Sequence, residues 1–378
     1  MLDTNLYSLV VDKAFCQTFR AKLGDFKIFD KKRKLLIRDD LAELPLVKRP
    51  DETVENDLMK ICSYVIVKDE HLSDIKTHNV KTQLRTEIGK IIGTVETDKC
   101  MLEELPDSWD TYGDLLLLPG ISFSSAVWEE HMPEVLSLLC SIFKVKRIAR
   151  KNLVVNDKFR SPRTDIMLGS DPWVFKKENG IIYNFDITKS MFCAGNISEK
   201  LRVAKFDCSG ETVVDLFAGI GYFTLPYLVH ANAKYVYACE WNPNSIVALK
   251  KNLEVMGVSE RCSVLEGDNR EVCPTDVADR INLGLIPQSD ISWRTACRAL
   301  KDSGGIMHIH GNVEVKKDEN KHDSINKWVL YVSSTIKDLL CEVRSDSDWN
   351  TEKLHVECVK SYAPRIFHVV LDLKCFQH

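Results

Sequence analysis

Val213-Val-Asp215-Leu-Phe-Ala-Gly219-Ile-Gly221 decides how this chain is read. Its first residues belong to an apolar run of strand type, Thr212–Leu216, and a helix-like stretch, Gly221–Val229, follows the glycines. A strand that ends in a glycine turn and passes the chain to a helix is the ligand corner of an open α/β sheet. The glycines permit the tight turn and let a ligand approach the backbone closely. Asp215 precedes them, where it would repel the pyrophosphate that a nicotinamide dinucleotide brings to a helix N-terminus. A carboxylate there suits a ligand with a positive group, such as the ammonium of a methionine moiety.

Outward from the turn, strand and helix signals alternate. Tyr235–Cys239 reads as a strand and Pro243–Met256 as a helix closed by Gly257. Ser263–Glu266 and Ala278–Leu283 read as strands, Asp290–Leu300 as a helix, Gly305–His310 as a strand and Ser324–Leu340 as a helix. Leu354–Ser361 and Ile366–Leu373 follow as two strands parted only by Ala363-Pro-Arg365, with no helix between them. Alternating β/α units predict a doubly wound parallel sheet. The closing pair requires an antiparallel terminal strand. The fold class expected is therefore α/β, a class I methyltransferase-type Rossmann sheet, with small α+β domains ahead of it.

Polar residues stand where each successive strand ends, the edge at which open α/β sheets bind ligands. Glu240 follows the second strand, nineteen residues after Gly221, where a carboxylate takes paired ribose hydroxyls. Asp268-Asn269 follows the third, placed to read an adenine amino group and ring nitrogen, although capping of the next turn explains that pair equally well. Asn282-Leu-Gly-Leu-Ile-Pro287 follows the fourth, facing the acceptor. Together with Asp215 and Gly219 these residues point to S-adenosylmethionine as the cofactor.

The remainder of the 378 residues calls for one or two further domains. Residues 1–135 are read as an accessory α+β domain, with a helix starting near Pro133 and running to Phe143. Residues 136–206 are read as a small antiparallel sheet built from Arg147–Val155, Asp165–Leu168, Trp173–Phe175 and Gly180–Ile187, with a hairpin turn at Glu178-Asn-Gly180. A helix over Ser198–Phe206, capped by Ser198 or Asn196, leads into the catalytic domain, residues 207–378. The formal charge of the chain is −4, but residues 141–205 carry 14 Lys/Arg against 6 Asp/Glu, a net of 14 − 6 = +8. A basic belt beside a cofactor site suits a polyanion. Lys144, Lys146, Arg147, Arg150, Lys151, Arg160 and Arg163 are its expected phosphate contacts.

Thirteen cysteines without a Cys-x-x-Cys pair fit a reduced, cytoplasmic protein with neither disulfides nor a zinc knuckle. His308-x-His310 offers two ligands on one strand face without a third, so no metal is expected. No apolar run approaches the ~20 residues of a membrane span, and the first residues lack the blocks of a secretory signal. A monomer is expected.

Further motifs make the chain recognisable. From Ile181 to Leu373 it resembles the family that contains the tRNA guanosine-37 N1-methyltransferases and the wybutosine-synthesis aminocarboxypropyltransferases. The resemblance is carried by Met191-Phe-Cys-Ala-Gly-Asn196, Ser198-Glu-Lys200-x-Arg202, Asp215–Gly221, Glu240-Trp-Asn-Pro243, Gly267-Asp-Asn269 and the Asn282 segment. The methyltransferases have Ser-Pro-Arg where this chain has Cys193-Ala-Gly195, and Asn-Leu-Pro where it has Asn282–Pro287. Both features look like the aminocarboxypropyl branch, although Cys193 departs from the serine usual there. The resemblance implies that Cys193, Lys200, Glu240, Asp268 and Asn269 contact S-adenosylmethionine, Lys200 through the cofactor carboxylate. It also implies transfer of the 3-amino-3-carboxypropyl group to carbon 7 of 4-demethylwyosine at position 37 of tRNA(Phe), with Asn282 orienting arm or substrate. No residue stands out as the base for the ring proton. The alternatives are a guanosine-37 methyltransferase and a non-catalytic tRNA-binding relative.

Overall fold

The computed structural model describes residues 7–12, 15–31, 35–38, 41–59, 64–68, 80–93, 99–152, 162–344 and 348–377. Arg160 and the tail of the expected Arg147–Val155 strand lie outside them. The chain divides into two compact units, Met1–Glu87 and Ile88–His378.

In the first unit β1 (Tyr7–Asp12), α1 (Cys16–Asp25), β2 (Leu36–Arg38), β3 (Leu41–Leu46), α2 (Glu52–Met59) and β4 (Val65–Lys68) follow one another. The strands form an antiparallel sheet of order β2-β3-β1-β4. Leu9 and Val11 alternate onto one face, and Phe19 and Leu23, four apart on α1, cover it together with Leu44 and Leu46. α3 (Val80–Ile92) comes next in the chain.

The second unit opens with α4 (Lys99–Glu103), β5 (Asp110–Tyr112), β6 (Leu115–Leu118), α5 (Met132–Phe143), β7 (Arg147–Lys151) and β8 (Thr164–Leu168). The hairpin β9 (Trp173–Glu178) and β10 (Ile181–Asp186) follows, its turn made by Asn179 and Gly180 with φ of 48° and 75°. One antiparallel sheet was expected over this stretch, and the structure divides it. β7 and β8 join a sheet of order β5-β6-β7-β8 in which β6 and β7 are parallel, whereas β9 pairs with β10 alone. The cause is β6, whose four leucines are all buried. A strand buried on both faces favours a parallel neighbour, and α5 supplies the crossover.

The large sheet is built from β11 (Thr212–Asp215), β12 (Tyr235–Glu240), β13 (Cys262–Glu266), β14 (Arg280–Leu283), β15 (Gly305–Glu314), β16 (Trp349–Ala363) and β17 (Ile366–Gln377). Between them run α7 (Thr224–Val229), α8 (Pro243–Val255), α9 (Asn269–Val272), α10 (Trp293–Ala299) and α11 (Lys321–Val343), with α6 (Ile197–Val203) ahead of β11. α6 stops three residues before the Phe206 end expected, and Asn196 holds its N-cap position without a side-chain cap bond. Strand order is β13-β12-β11-β14-β15-β17-β16, parallel through β15, with β17 antiparallel to both its neighbours. Consecutive residues of β11 face opposite sides, as a two-residue period requires. Val213 joins the core with α7 and α8, and Val214 joins that with α10 and α11.

The hairpin belongs to the first of these cores. Val174, Ile181, Tyr183 and Phe185 are buried with Leu225, Tyr227 and Leu249. Asn252 on α8 pins it further, accepting from Asn184 N at 2.6 Å and donating to Asn184 O at 3.1 Å and to Ile220 O at 3.0 Å. After β11 the chain turns one way to β12 and β13, then returns to the other side with β14. The crevice at that switch, outside the carboxyl ends of β11 and β14, is where such sheets bind ligands.

Candidate cofactor and transfer site

Gly219 and Gly221 lie beyond the end of β11 with φ of 57° and 102°, backbone that side chains disfavour. A Cβ on Gly219 would press the Tyr222 ring at 3.0 Å, and one on Gly221 would press Leu225 at 3.0 Å. Asp215 sits beneath this turn with no exposed surface. Its Oδ1 accepts from Asn282 Nδ2 at 3.0 Å and its Oδ2 from Thr224 Oγ1 at 2.8 Å. Burial pushes its carboxyl above the usual range, and these two bonds act against that rise. Both oxygens are engaged within the chain. Asp215 thus joins β11, β14 and α7 under the turn.

Glu240 closes β12 and reaches the turn from the side. Its carboxylate accepts from Gly219 N at 2.7 Å, Trp241 N at 2.9 Å and Asn242 N at 2.8 Å. Burial raises its pKa and the three backbone donors lower it. It remains partly exposed, so a fixed carboxylate offers its free lone pairs at the crevice, as paired hydroxyls require.

Asp268 caps the single turn α9, accepting from Arg270 N at 2.9 Å, and the Arg270 guanidinium holds its carboxyl below the usual carboxylate range. Asn269 is buried. It donates to Leu216 O at 2.9 Å and accepts from Ser292 Oγ at 2.8 Å. Asp268 thus caps the turn and Asn269 braces it. They tie the end of β13 to the end of β11, and Asp268 keeps partial exposure on the crevice side.

Lys200, on α6, is buried and ion-paired with Glu178 of β9, with Cys193 O at 3.5 Å. Phe192, Tyr183 and Tyr222 surround its ammonium at 4.7, 5.4 and 5.8 Å from their ring centres. Burial lowers its pKa, and Glu178 raises it. Its charge is already balanced, so an anionic ligand would compete with Glu178. Half-buried Cys193 lies in the loop that Tyr222 secures through a hydroxyl bond to Met191 O.

Asn282 is fully buried on β14. Its amide nitrogen is taken by Asp215, its backbone carbonyl accepts from Leu216 N at 3.0 Å, and its side-chain Oδ1 has no partner. A buried acceptor left open at the carboxyl end of a strand calls for a partner.

The motif reading quoted some members of one further group without seeing that they join. Glu199 and Arg202 on α6 form a chain with Asp372 of β17, His308 of β15, Arg280 of β14 and Glu211. Arg202 donates to Glu199 at 2.7 and 2.8 Å and to Asp372 at 2.5 and 3.0 Å. His308 meets Asp372 through Nδ1 at 2.6 Å and Arg280 through Nε2 at 2.8 Å, and Arg280 closes on Glu211 at 2.6 Å. Arg280 can only donate, so His308 Nε2 accepts and its Nδ1 carries the proton to Asp372. Burial keeps His308 neutral. Its neighbour on the same strand face, His310, pairs instead with His368 at 3.0 Å. Charged residues inside otherwise apolar strands were the available signal. Among the described residues no group of three or more His, Cys, Asp or Glu is placed to hold a metal ion, and no helix is long and apolar enough to cross a membrane.

Comparison with known proteins follows the same outline. Residues 174–329 match the family described as the TRM5/TYW2 methyltransferase domain, and residues 90–172 the TYW2 N-terminal domain. The tRNA wybutosine-synthesizing protein 2 homolog of Danio rerio is 49% identical over 296 residues, 72% of each chain. That of Bos taurus is 37% identical over 426 aligned positions, covering 98% of this chain and 97% of that protein. The chain belongs to the tRNA wybutosine-synthesizing protein 2 family. Among solved structures, P. horikoshii TYW2 in complex with MeSAdo is 29% identical, with a TM-score of 0.58, over 78% of this chain and 99% of that one. The family and the methyltransferase-type sheet are those the motifs implied.

Proposed function

We propose that this chain moves the 3-amino-3-carboxypropyl group of S-adenosylmethionine to carbon 7 of 4-demethylwyosine at position 37 of tRNA(Phe), releasing methylthioadenosine. The chain is an S-adenosylmethionine-dependent transferase of tRNA wybutosine synthesis. The observation that carries this reading is kinship with tRNA wybutosine-synthesizing protein 2 over 98% of the chain. The crevice supports it, because a fixed carboxylate, a positive-φ glycine turn and an open buried acceptor fit the ribose, the backbone-hugging chain and an N–H of that cofactor.

When bound, the cofactor supplies a sulfonium with three electrophilic carbons, and the one in line with the nucleophile at ~3–3.5 Å is transferred. Glu240 holds the two ribose hydroxyls, and Asp268 with the backbone at Asn269 lines the adenine. Asp215 keeps Asn282 in place, leaving Asn282 Oδ1 to orient the arm or the base. Attack of the ring carbon on the arm would break its carbon–sulfur bond, with a neutral thioether as leaving group and the ring proton lost afterwards.

The tRNA would meet the basic belt through fewer cations than composition alone suggests. Arg147 donates to Asp114, Asp171 O and Trp173 O, Arg150 to Ser122 O and Phe123 O, and Lys151 pairs with Asp110 at 2.7 Å. The two arginines brace the fold, and Lys151 stays exposed in a surface pair. Lys144, Lys146 and Arg163 are exposed and are the phosphate contacts we assign. In this reading residues 1–135 are accessory, 136–206 present the tRNA surface and 207–378 bind the cofactor, in a cytoplasmic monomer without a metal.

The test is incubation of substrate tRNA with S-adenosylmethionine labelled in the methyl or in the carboxyl carbon. Carboxyl label in the tRNA supports the proposal, methyl label identifies a guanosine-37 methyltransferase, and neither indicates a binding relative. Reversing both Lys144 and Lys146 to Glu is expected to weaken tRNA binding about tenfold or more. The salt slope should fall by about 0.7–0.9 per lost cation, with cofactor affinity unchanged. Equal loss of both affinities would remove these lysines from the tRNA surface.

A further inference from the structure

His308, His310 and Asn312 share one face of β15, as a two-residue period requires. β14 keeps register with β15 only as far as Leu283, opposite Ile309, so His310 and Asn312 stand beyond its end. The chain after β14 still runs alongside, since Asn312 N donates to Pro287 O at 2.7 Å. On the other flank Asn312 is in register with His368 of β17. His310 Nδ1 meets His368 Nε2 at 3.0 Å, and the two residues keep 1% and 0% exposure. Phe223, two residues past Gly221, meets the His310 ring edge-on with centres 5.1 Å apart.

Among the described residues, four polar atoms of this region are buried without a partner. They are Asn282 Oδ1, His310 Nε2, Asn312 Oδ1 and His368 Nδ1. Asn282 is in register with His308, one step below His310 on the same face. Both nitrogens of His308 are engaged, whereas the next pair along the strand leaves its outer nitrogens open. Left unmet, each such group costs about 1–3 kcal/mol. Their place at the end of β14, beside the cofactor turn, suits a planar acceptor with polar edges. Burial, His368, His308 and Arg202 hold His310 well below the usual imidazole range, against Asp372 alone. Burial, then Lys360, brings His368 down to about 4. Both rings are therefore neutral, with one proton each. When His310 donates its proton to His368, His310 Nε2 presents a lone pair.

We propose that His310 is the base that takes the ring proton from the acceptor through Nε2, and that His368 is the positioning residue that fixes its tautomer. The inference rests on the reading that a ring carbon of the tRNA base is the nucleophile. Attack by that carbon forms its bond to the arm, and sulfur leaves with the electron pair of the broken bond. The carbon then bears both the arm and its hydrogen, and the ring carries the positive charge. The carbon–hydrogen electron pair returns to the ring as the proton passes to His310 Nε2, which later yields it to solvent. A cationic ring is acidic enough for a weak base, and a weak base stays unprotonated beside a sulfonium.

His310→Gln and His368→Gln in the full chain test this, with tRNA whose acceptor base carries hydrogen or deuterium at carbon 7. His310→Gln is expected to lower the single-turnover rate about a hundredfold without changing S-adenosylmethionine affinity. Its rate should also fall more with deuterium than that of the unaltered protein, because proton loss has become the slow step. His368→Gln keeps an acceptor for His310 Nδ1 and should show the same isotope signature with a smaller loss. That second variant carries the test if the first does not fold. An unchanged rate, or a loss without the enlarged isotope effect, overturns the proposal. So does a change confined to the KM for tRNA, which would make the pair a recognition edge for the base. Absence of carboxyl label in tRNA with the unaltered protein overturns the transfer reading. Its presence alongside an unimpaired His310 variant overturns the base assignment alone.

Discussion

Arg202→Met is expected to lower the unfolding free energy by about 3–5 kcal/mol, the range for breaking a buried ion pair by removing one partner. The guanidinium holds two carboxylates at once, Glu199 with no side-chain exposure and Asp372 with 9%. Burial pushes Glu199 up, and only Arg202 opposes it strongly. Burial also pushes Asp372 up, yet His308 and Arg202 outweigh it and hold that carboxyl well below the usual range. Methionine fills much of the volume but leaves buried Glu199 without its cation and Asp372 with His308 alone. One must then take up a proton or the helix must move away from the sheet. Arg202→Lys keeps the charge but not the fork that meets two partners, so an intermediate loss is expected. Urea unfolding of the three proteins at neutral pH is the measurement. A loss below about 1 kcal/mol for the methionine variant would mean that Glu199 and Asp372 are hydrated in solution.

Glu240→Ala is expected to weaken binding of S-adenosylmethionine and of methylthioadenosine alike, by about a hundredfold. Two hydroxyl bonds to a charged acceptor, at about 1.5 kcal/mol each, account for that factor. The substitution also removes the acceptor of three backbone N–H groups, among them Gly219 at 2.7 Å, so the turn loosens as the ribose contact is lost. Glu240→Gln keeps the shape but turns an amide donor toward one of those N–H groups, and most of the loss should persist. Both ligands carry the ribose, so neither should be spared. Unchanged methylthioadenosine affinity in the alanine variant would take the ribose away from Glu240.

Most of the large sheet was legible because each of its strands is bounded by a change of period. Thr212–Leu216 stops at glycines, Pro243–Met256 runs to Gly257, and the closing strands are parted by a three-residue turn, which requires the antiparallel end. Glu240 was legible for a similar reason, since the end of a parallel strand next to a glycine turn points into the crevice whatever the rest of the chain does. Leu115–Leu118 was not read as a strand. A short run of leucines buried on every side has no period, and only its pairing with β7 reveals what it is. Counting charges in the basic belt cannot show that Arg147 and Arg150 turn to backbone and carboxylate acceptors of their own domain, nor that exposed Lys151 pairs with Asp110. Asp215 shows the same limit in one residue. Its place before the glycines is written in the sequence, but the face it takes is set by Asn282, 67 positions later.

The bonds of Asn252 to Asn184 and Ile220 bear on how this protein can be divided. Asn252 bonds the hairpin through both its side-chain atoms and the cofactor turn through Nδ2 as well, so one amide ties the two together. A shorter relative that dispensed with the hairpin would have to replace Asn252 at the same time and find Lys200 a new counter-ion in place of Glu178. The smallest portable version of this site therefore begins at β9, ahead of the sheet it serves.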